Sequence, residues 1–184
     1  MSKKLTILLI IGYFTMIFNS CSFSEIDQNC TAKFTDFEIL ILDFSKTPIW
    51  ETNDVINKDS FGFQINMKDV VVEKPYKNLG CYEISHNNSI SSLTIKTIYD
   101  YSDIIPAGSD ITELFAAKNQ YYTSEFITID KLIPDLENFR NNINHYHFYL
   151  IDDTCKSGQQ NFEITIILSD NTVLVKQTGN LLID

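Results

Sequence analysis

Apolar and polar residues alternate along most of this sequence, and this period-two pattern constrains the fold more than any other feature. Successive side chains of a β-strand point to opposite faces of a sheet, so sustained alternation predicts a strand. The segment 34–43 is apolar on both faces, which predicts an inner strand, and in 61–73 the alternation breaks after Asp69, which predicts a bulge or a turn. The predicted strands cover residues 34–43, 61–73, 92–100, 144–151, 162–168, 173–177 and 181–183.

Two segments between these strands predict short helices. Asp110 and Glu113 have the spacing of a capping box ahead of residues 114–117, which are good helix formers. Pro134 suits the first turn of a second helix over residues 135–142.

These elements predict a mainly β protein, an antiparallel β-sandwich of immunoglobulin-like or related topology with one or two short helical crossovers. A strongly twisted single sheet packed by the two helices is the alternative. Residues 169–172 have the Asp/Asn chemistry of a hairpin turn. The chain has 184 residues with six glycines and four prolines, so we expect residues 33–184 to form one domain without internal linkers.

The first twenty residues have the architecture of an export signal. Lys3 and Lys4 form a short basic region, and an apolar run over residues 5–18 follows them. A bilayer takes roughly 20 apolar residues to span, so this run is too short for a transmembrane helix. We therefore predict a signal peptide over residues 1–20 whose removal leaves Cys21 as the first residue. The alternatives are a plain secretory signal and an uncleaved helix, in both of which that cysteine is uninvolved.

The signal ends at Phe18-Asn19-Ser20-Cys21, which resembles the lipobox of bacterial lipoproteins. That resemblance implies that Cys21 is acylated, becomes the first residue of the mature chain and fixes it to a membrane without spanning it. Each buried methylene of an acyl chain contributes about 0.8 kcal/mol, so several chains hold a protein firmly. Residues 21–32 are then the lipidated tether. An acidic segment after the cysteine can mark export to the cell surface in such lipoproteins. This tether has few acidic residues, which leaves open whether the protein faces the periplasm or the cell surface.

The net charge of the chain argues against nucleic acid as a partner. The chain carries 14 lysines and arginines against 24 acids, a net charge of −10. Cleavage before Cys21 would remove two lysines and no acid, leaving −12. An acidic chain lacks the basic surface that binds nucleic acid electrostatically, so we predict no nucleic-acid partner.

Four cysteines in an exported chain point to disulfide chemistry. With Cys21 acylated, one disulfide and one free thiol is the simplest outcome. We predict a disulfide between Cys30 and Cys81, because Cys155 lies in a polar segment typical of a loop. The cysteines lack the CxxC spacing of zinc ribbons and thioredoxin-type sites.

The arrangement of these segments looks like a family of uncharacterised Bacteroidetes lipoproteins. The likeness covers the whole mature chain and rests on the lipobox, the early cysteine, the segments 92–101 and 105–110, and the closing hairpin around 163–174. It implies a lipid-anchored, mainly β domain of the cell envelope, in the outer membrane. The shared motifs are structural, so the resemblance supplies no catalytic residue.

His145 and His147 are the sharpest polar feature. In a strand their side chains point the same way roughly 7 Å apart, the spacing with which two histidines ligate one zinc or copper ion. His86, in a predicted loop, is a third histidine within possible reach. The same spacing is also that of an ordinary strand with a polar outer face.

Acidic and aromatic residues raise two further hypotheses. Asp152-Asp153 and Asp100 with Asp103 are candidates for a calcium site or for glycoside hydrolysis. Stacking on sugar rings uses exposed aromatic side chains, and the candidates for it are Trp50, Tyr99, Tyr101, Tyr121 and Tyr122.

No nucleophile motif such as Gly-x-Ser-x-Gly or Ser-x-x-Lys occurs in the sequence. We therefore predict a non-enzymatic, lipid-anchored structural or interaction module without a cofactor. Its expected contacts are the membrane, through the acyl chains, and an envelope protein or a glycan. The alternative is a ligand-binding module for a glycan or for a divalent metal at His145 and His147.

Overall fold

A computed structural model describes residues 29–46, 50–51, 55–73, 83–121, 125–138 and 143–184. The described part is mainly β, with thirteen strands and one α-helix. The strands are β1 Asn29–Asp43, β2 Trp50–Glu51, β3 Val55–Ile56, β4 Phe61–Glu73, β5 Glu83–His86, β6 Ile90–Thr97, β7 Phe115–Asn119, β8 Ile127–Thr128, β9 Tyr146–Leu150, β10 Gly158–Gln160, β11 Phe162–Leu168, β12 Val173–Gln177 and β13 Leu181–Ile183. The helix, α1, covers Ile129–Asn138, and single 3₁₀ turns cover Lys58–Ser60, Thr112–Leu114 and Ile143–His145.

The strands form three sheets. Sheet A, which is strongly curled, has the order β2-β1-β4-β9-β7-β8, with β5 beside the first four residues of β1. Sheet B has the order β10-β13-β3, and sheet C has the order β12-β11-β6. Most pairs are antiparallel, as predicted, but β1 with β5 and β13 with β3 are parallel. Because β5 follows β4 and returns on the other side of β1, it takes the direction of β1.

Sheets A and C pack together through phenylalanine rings. Phe115 of sheet A lies 5.9 Å from Phe162 of sheet C, between ring centroids, and Phe61 of β4 lies 5.5 Å from the same ring. Phe63 packs on Phe115 at 5.4 Å and stacks on Phe148 at 5.0 Å. All five rings are fully buried, so this aromatic core joins the two sheets.

The predicted strands agree closely with the observed ones. The bounds of β4, β11, β12 and β13 are those that the alternation predicts. The break after Asp69 is a pair of register shifts in the β1–β4 ladder, so the strand continues through it. β1 begins at Asn29, so residues 29–32 of the predicted tether are part of a strand, and residues 21–28 lie outside the described residues. Cys30 and Ala32 are buried there because β4 and β5 pair with both sides of the strand.

The first predicted helix is wrong. Asp110 does accept hydrogen bonds from the backbone N–H and the hydroxyl of Thr112, at 2.9 and 2.6 Å, but only one 3₁₀ turn follows. Residues 114–117 then enter β7, whose backbone pairs with β8 and β9. Phe115 and Ala117 are wholly buried, and this tertiary contact outweighs the helix propensity of the segment.

The second helix exists but begins six residues before the predicted start, at Ile129, so Pro134 lies inside it. Ile129, Leu132 and Leu136 are buried at the spacing of one helix face. That face decides where the helix begins, and it outweighs the preference of proline for a first turn. Residues 139–142 of the prediction lie outside the described residues.

Cys30 is buried and disulfide-bonded, whereas Cys155 is a free, buried thiol. Cys81 lies outside the described residues, so the Cys30–Cys81 pairing stays a prediction. β5 begins two residues after Cys81, and its first residue pairs with Asn29, next to Cys30. This register favours the predicted pairing.

Two ion pairs join β1 to the β11–β12 hairpin. Lys33 Nζ lies 2.8 Å from Asp170 Oδ2, and Lys176 Nζ lies 3.0 Å from the carboxylate of Asp36. The hydrogen bond from Lys176 lowers the pKa of Asp36, and the hydrogen bond from Lys33 lowers that of Asp170, with Thr172 adding to the second effect. Both carboxylates therefore favour the folded state when ionised.

Acid is expected to destabilise the fold through these two carboxylates. Their pKa values lie below the ordinary aspartate value of about 3.9, so the stabilisation is present above that pH and is lost as the pH falls from about 4 towards the lower folded-state values. Urea unfolding midpoints at pH 7, 4 and 3 measure the loss. An Asp36→Asn, Asp170→Asn double variant should lose less stability than the wild-type protein between pH 7 and pH 3. An equal loss in the two proteins would contradict the assignment of the acid sensitivity to these carboxylates.

Candidate functional site

The outer face of sheet A carries an aromatic and polar surface built from paired rows. Directly paired residues of an antiparallel ladder share a face. One row crosses β4, β9 and β7 through Gly62, Tyr149 and Ala116. The next row crosses the same strands through Gln64, His147 and Lys118. The alternation of β9 follows from its burial, because Tyr146, Phe148 and Leu150 are buried while His147 and Tyr149 are half-buried.

Gly62 makes room for a ring on this face. Phe44, in the turn after β1, stacks on Tyr149 with 3.9 Å between ring centroids and 20° between planes. A Cβ atom at position 62 would lie 2.3 Å from the Phe44 ring and 2.2 Å from the carbonyl oxygen of Phe148. Only glycine therefore lets Phe44 lie against the sheet.

Phe126 and Lys118 complete the surface. The Phe126 ring meets Tyr149 edge-on at 5.0 Å, and Lys118 Nζ lies 5.5 Å from the centroid of the Phe126 ring. The ring of His147 lies 5.4 Å from that of Phe44. We call Phe44, Lys118, Phe126, His147 and Tyr149 the aromatic patch.

The polar groups of the aromatic patch are available to a ligand. Within the described part of the chain, Lys118 makes no ion pair, and neither the His147 imidazole nor the Tyr149 hydroxyl has a hydrogen-bond partner. Burial lowers the pKa of His147, which keeps the imidazole neutral at neutral pH, and burial raises the pKa of the Tyr149 hydroxyl. The patch thus offers ring faces together with uncommitted donors and acceptors.

The charge of the aromatic patch differs from that of the whole chain. From β4 to β8, its two rows contain Lys118 and no acid. Several acids elsewhere on this sheet have cationic partners, for example Glu38 with Lys68 and Asp36 with Lys176. Lys118 is therefore the charged side chain of these two rows, and Glu125, which has a partner of its own, directly precedes Phe126 along the chain.

The three histidines lie in different surroundings. His145 ends the 3₁₀ turn before β9 and is not in the strand, and its ring meets Tyr121 edge-on at 5.2 Å. His86, predicted in a loop, ends β5, stacks on Phe34 at 4.0 Å and lies 2.8 Å from Asp69 Oδ2. Within the described ranges, no three His, Cys, Asp or Glu side chains converge as metal ligands. A metal at His145 and His147 stays a prediction that depends on two residues.

The aromatic residues predicted to stack on sugars are dispersed. Tyr101 is wholly buried and donates a hydrogen bond to Asp152 at 2.9 Å, so its assignment to an exposed stacking surface is wrong. Tyr99 is partly exposed and donates to Asn180, and Tyr121 is 65% exposed. Trp50 lies in β2 at the edge of sheet A, and Tyr122 lies outside the described residues.

The predicted acidic pairs have structural partners. Asp152 accepts hydrogen bonds from Tyr101 and from both the N–H and the hydroxyl of Thr154. Asp103 pairs with Lys156 at 2.8 Å, and Asp100 accepts from the N–H of Ala107. These carboxylates fix loops around the buried Tyr101 ring.

Cys155 has the environment of an unreactive thiol. It is 4% exposed, and burial raises the pKa of the thiol to about 11, so it stays protonated at neutral pH. Cys21, the predicted lipidation site, lies outside the described residues.

An acidic cleft of about 610 Å³ lies where β8 meets α1. Three carboxylates line it, those of Asp110, Glu113 and Asp130. Asp110 is held by Thr112, and a hydrogen bond from Thr128 lowers the pKa of Asp130. The carboxylates of this cleft are thus partly committed to capping their own turns.

Sequence reasoning identified His147 but missed Phe44, Lys118 and Phe126. It also missed Tyr149, although the alternation in 144–151 puts residues 147 and 149 on one face and was the available signal. Phe44 and Phe126 lie in connecting segments, and only the cross-strand register and the space above Gly62 bring their rings together.

Comparison with protein families, with curated proteins and with solved structures gave no match to this chain. Among the described residues, no helix has the length and apolar character to cross a membrane.

Proposed function

We propose that this chain is a lipid-anchored module of the cell envelope that works by binding, with the aromatic patch as its contact surface. The single observation that carries the proposal is the clustering of exposed or half-buried rings with three uncommitted polar groups on one sheet face. Aromatic side chains with a polar handle are typical of binding surfaces. The module needs no cofactor and no catalytic residue for this role.

The location in the proposal rests on the N-terminal segment. The signal architecture of residues 1–20 and the lipobox-like end at Cys21 support attachment to the outer membrane through acyl chains. The face of the membrane, periplasmic or external, stays open. The resemblance to uncharacterised Bacteroidetes lipoproteins agrees with this placement.

The fold in the proposal is an immunoglobulin-like or related sandwich in which sheet A covers sheet C. The aromatic core between β4, β7 and β11 supports it. Such sandwiches present a rigid outer sheet face, which suits a surface that must hold several rings in fixed relation.

A glycan is the second candidate partner, and the uncommitted Lys118, His147 and Tyr149 groups beside the rings favour it over a metal. A metal at His145 and His147 would need a third ligand from elsewhere.

Two measurements test the proposal in the native envelope. Cys21→Ala should move the protein from the membrane fraction to the soluble fraction, and continued membrane retention would refute acylation at this residue. A photo-reactive phenylalanine analogue at position 126 should form cross-links to envelope components. The matched control is the same analogue at position 175 on β12, because Phe126 and Val175 are 53% and 51% exposed. Equal cross-linking at both positions would contradict a binding role for the aromatic patch.

A further inference from the structure

The aromatic patch combines an apolar surface with one cation, Lys118, that has no ion-pair partner among the described residues. Phe126 is 53% exposed, and its ring lies directly beside Lys118 Nζ and against Tyr149. A ligand that contacts Phe126 therefore meets the ammonium group of Lys118 at the same time. Such a ligand needs an apolar face next to a negative charge.

We propose that the aromatic patch binds a carboxylate-bearing saccharide, with a sugar ring against Phe126 and Tyr149 and its carboxylate at Lys118. This inference rests on the proposed function and names the ligand class. The C–H face of a pyranose is apolar and packs on aromatic rings, while its rim of hydroxyls suits the Tyr149 hydroxyl and the neutral His147 imidazole.

Charge complementarity selects an acidic sugar over a neutral one. Lys118 has no carboxylate partner in the described part of the chain, although acids outnumber basic residues by 24 to 14. A carboxylate from the ligand supplies the missing partner. The acidic remainder of the protein repels an acidic sugar over a long range, and salt weakens this repulsion. Salt weakens the direct contact between the sugar carboxylate and Lys118 less.

The open form of the surface selects an oligosaccharide over a small aromatic acid. Small ligands are bound in cavities that enclose most of their surface, whereas the aromatic patch lies on a sheet face. Its two rows are two residues apart, about 7 Å along the strands. Beyond the His147 row, the 65% exposed Tyr121 packs on His145. An extended chain of sugar rings fits this arrangement.

Calorimetric titration of the purified lipoprotein in detergent tests the inference. The probes are trigalacturonate, the neutral trisaccharide maltotriose, and benzoate. We expect trigalacturonate to bind about tenfold more tightly than maltotriose, as one charge-assisted contact provides. Lys118→Met should remove that advantage, so that the variant binds the two trisaccharides with similar affinity. Phe126→Ala should weaken both sugars.

The matched control is Lys96→Met, which removes the same charge from an exposed position on sheet C. It should leave both affinities unchanged. Equal affinity for the two trisaccharides, an unaffected Lys118→Met variant, or benzoate binding as tight as that of trigalacturonate would each overturn the inference. Absence of sugar binding with selective cross-linking at position 126 would overturn the ligand class alone. Absence of both would overturn the proposed function as well.

Discussion

Replacing Phe115 with alanine is expected to lower the free energy of unfolding by about 4 kcal/mol, the cost of removing a fully buried phenylalanine ring. The ring contacts Phe61, Phe63 and Phe162, so its loss opens a cavity where sheets A and C meet. Typical domains have only 5–15 kcal/mol of stability, roughly, so this is a large fraction. Equilibrium urea unfolding measures it.

Val175→Ala is the control for this experiment, because that side chain is half exposed on β12 and should cost less than about 1 kcal/mol. If Phe115→Ala does not fold, Phe115→Leu keeps the test available and should cost about 1–2 kcal/mol. A Phe115→Ala cost no larger than that of Val175→Ala would show that this ring does not join the sheets.

Gly62→Ala is expected to destabilise the fold by about 3 kcal/mol and to displace Phe44 from Tyr149. The new methyl group would lie 2.2 Å from the carbonyl oxygen of Phe148, which belongs to the backbone of β9 and moves only with its strand. The variant should therefore lose both unfolding free energy and the near-ultraviolet circular dichroism of the stacked rings.

Gly179→Ala separates this effect from a general intolerance of glycine replacement. Gly179 has a φ of +78° and no heavy atom near the position of a Cβ, so its replacement carries only the cost of a left-handed backbone, about 1–2 kcal/mol. It should leave the ring signal intact. A Gly62→Ala variant with unchanged stability and ring signal would contradict the stacking of Phe44 over β4.

Seven of the thirteen described strands were predictable because their signal is local, and the six others, β2, β3, β5, β7, β8 and β10, were not predicted. In β11 every second residue of Phe162–Leu168 is buried, so the alternation and the burial carry the same information. The same reasoning failed at residues 114–117, where Leu and Ala favour a helix in isolation. There the decisive facts are long-range, namely the pairing of β7 with β9 and the burial of Phe115 among three other rings.

The candidate site was only half predictable for the same reason. His147 and Tyr149 belong to one strand, and their common face follows from spacing alone. Lys118 reaches them through the β7–β9 register and Phe44 through the turn after β1, and neither contact leaves a mark in the local sequence. Tyr101 shows the reverse error, because a tyrosine beside polar residues was expected at the surface and is the largest of the fully buried side chains that the structure describes.

If Cys21 is acylated as we propose, the length of β1 limits how far the aromatic patch lies from the anchored end of the chain. β1 begins eight residues after Cys21. Thirteen residues along the strand separate Asn29 from Leu42, which pairs with Gly62 in the row that contains Tyr149. At about 3.3 Å per residue this is about 43 Å of strand. On the proposal that Cys21 is acylated, the anchor lies on the Asn29 side of β1 and the row that contains Tyr149 lies towards its other end. Because sheet A is curled, the contour length of the strand is the upper limit of the distance between Asn29 and Leu42.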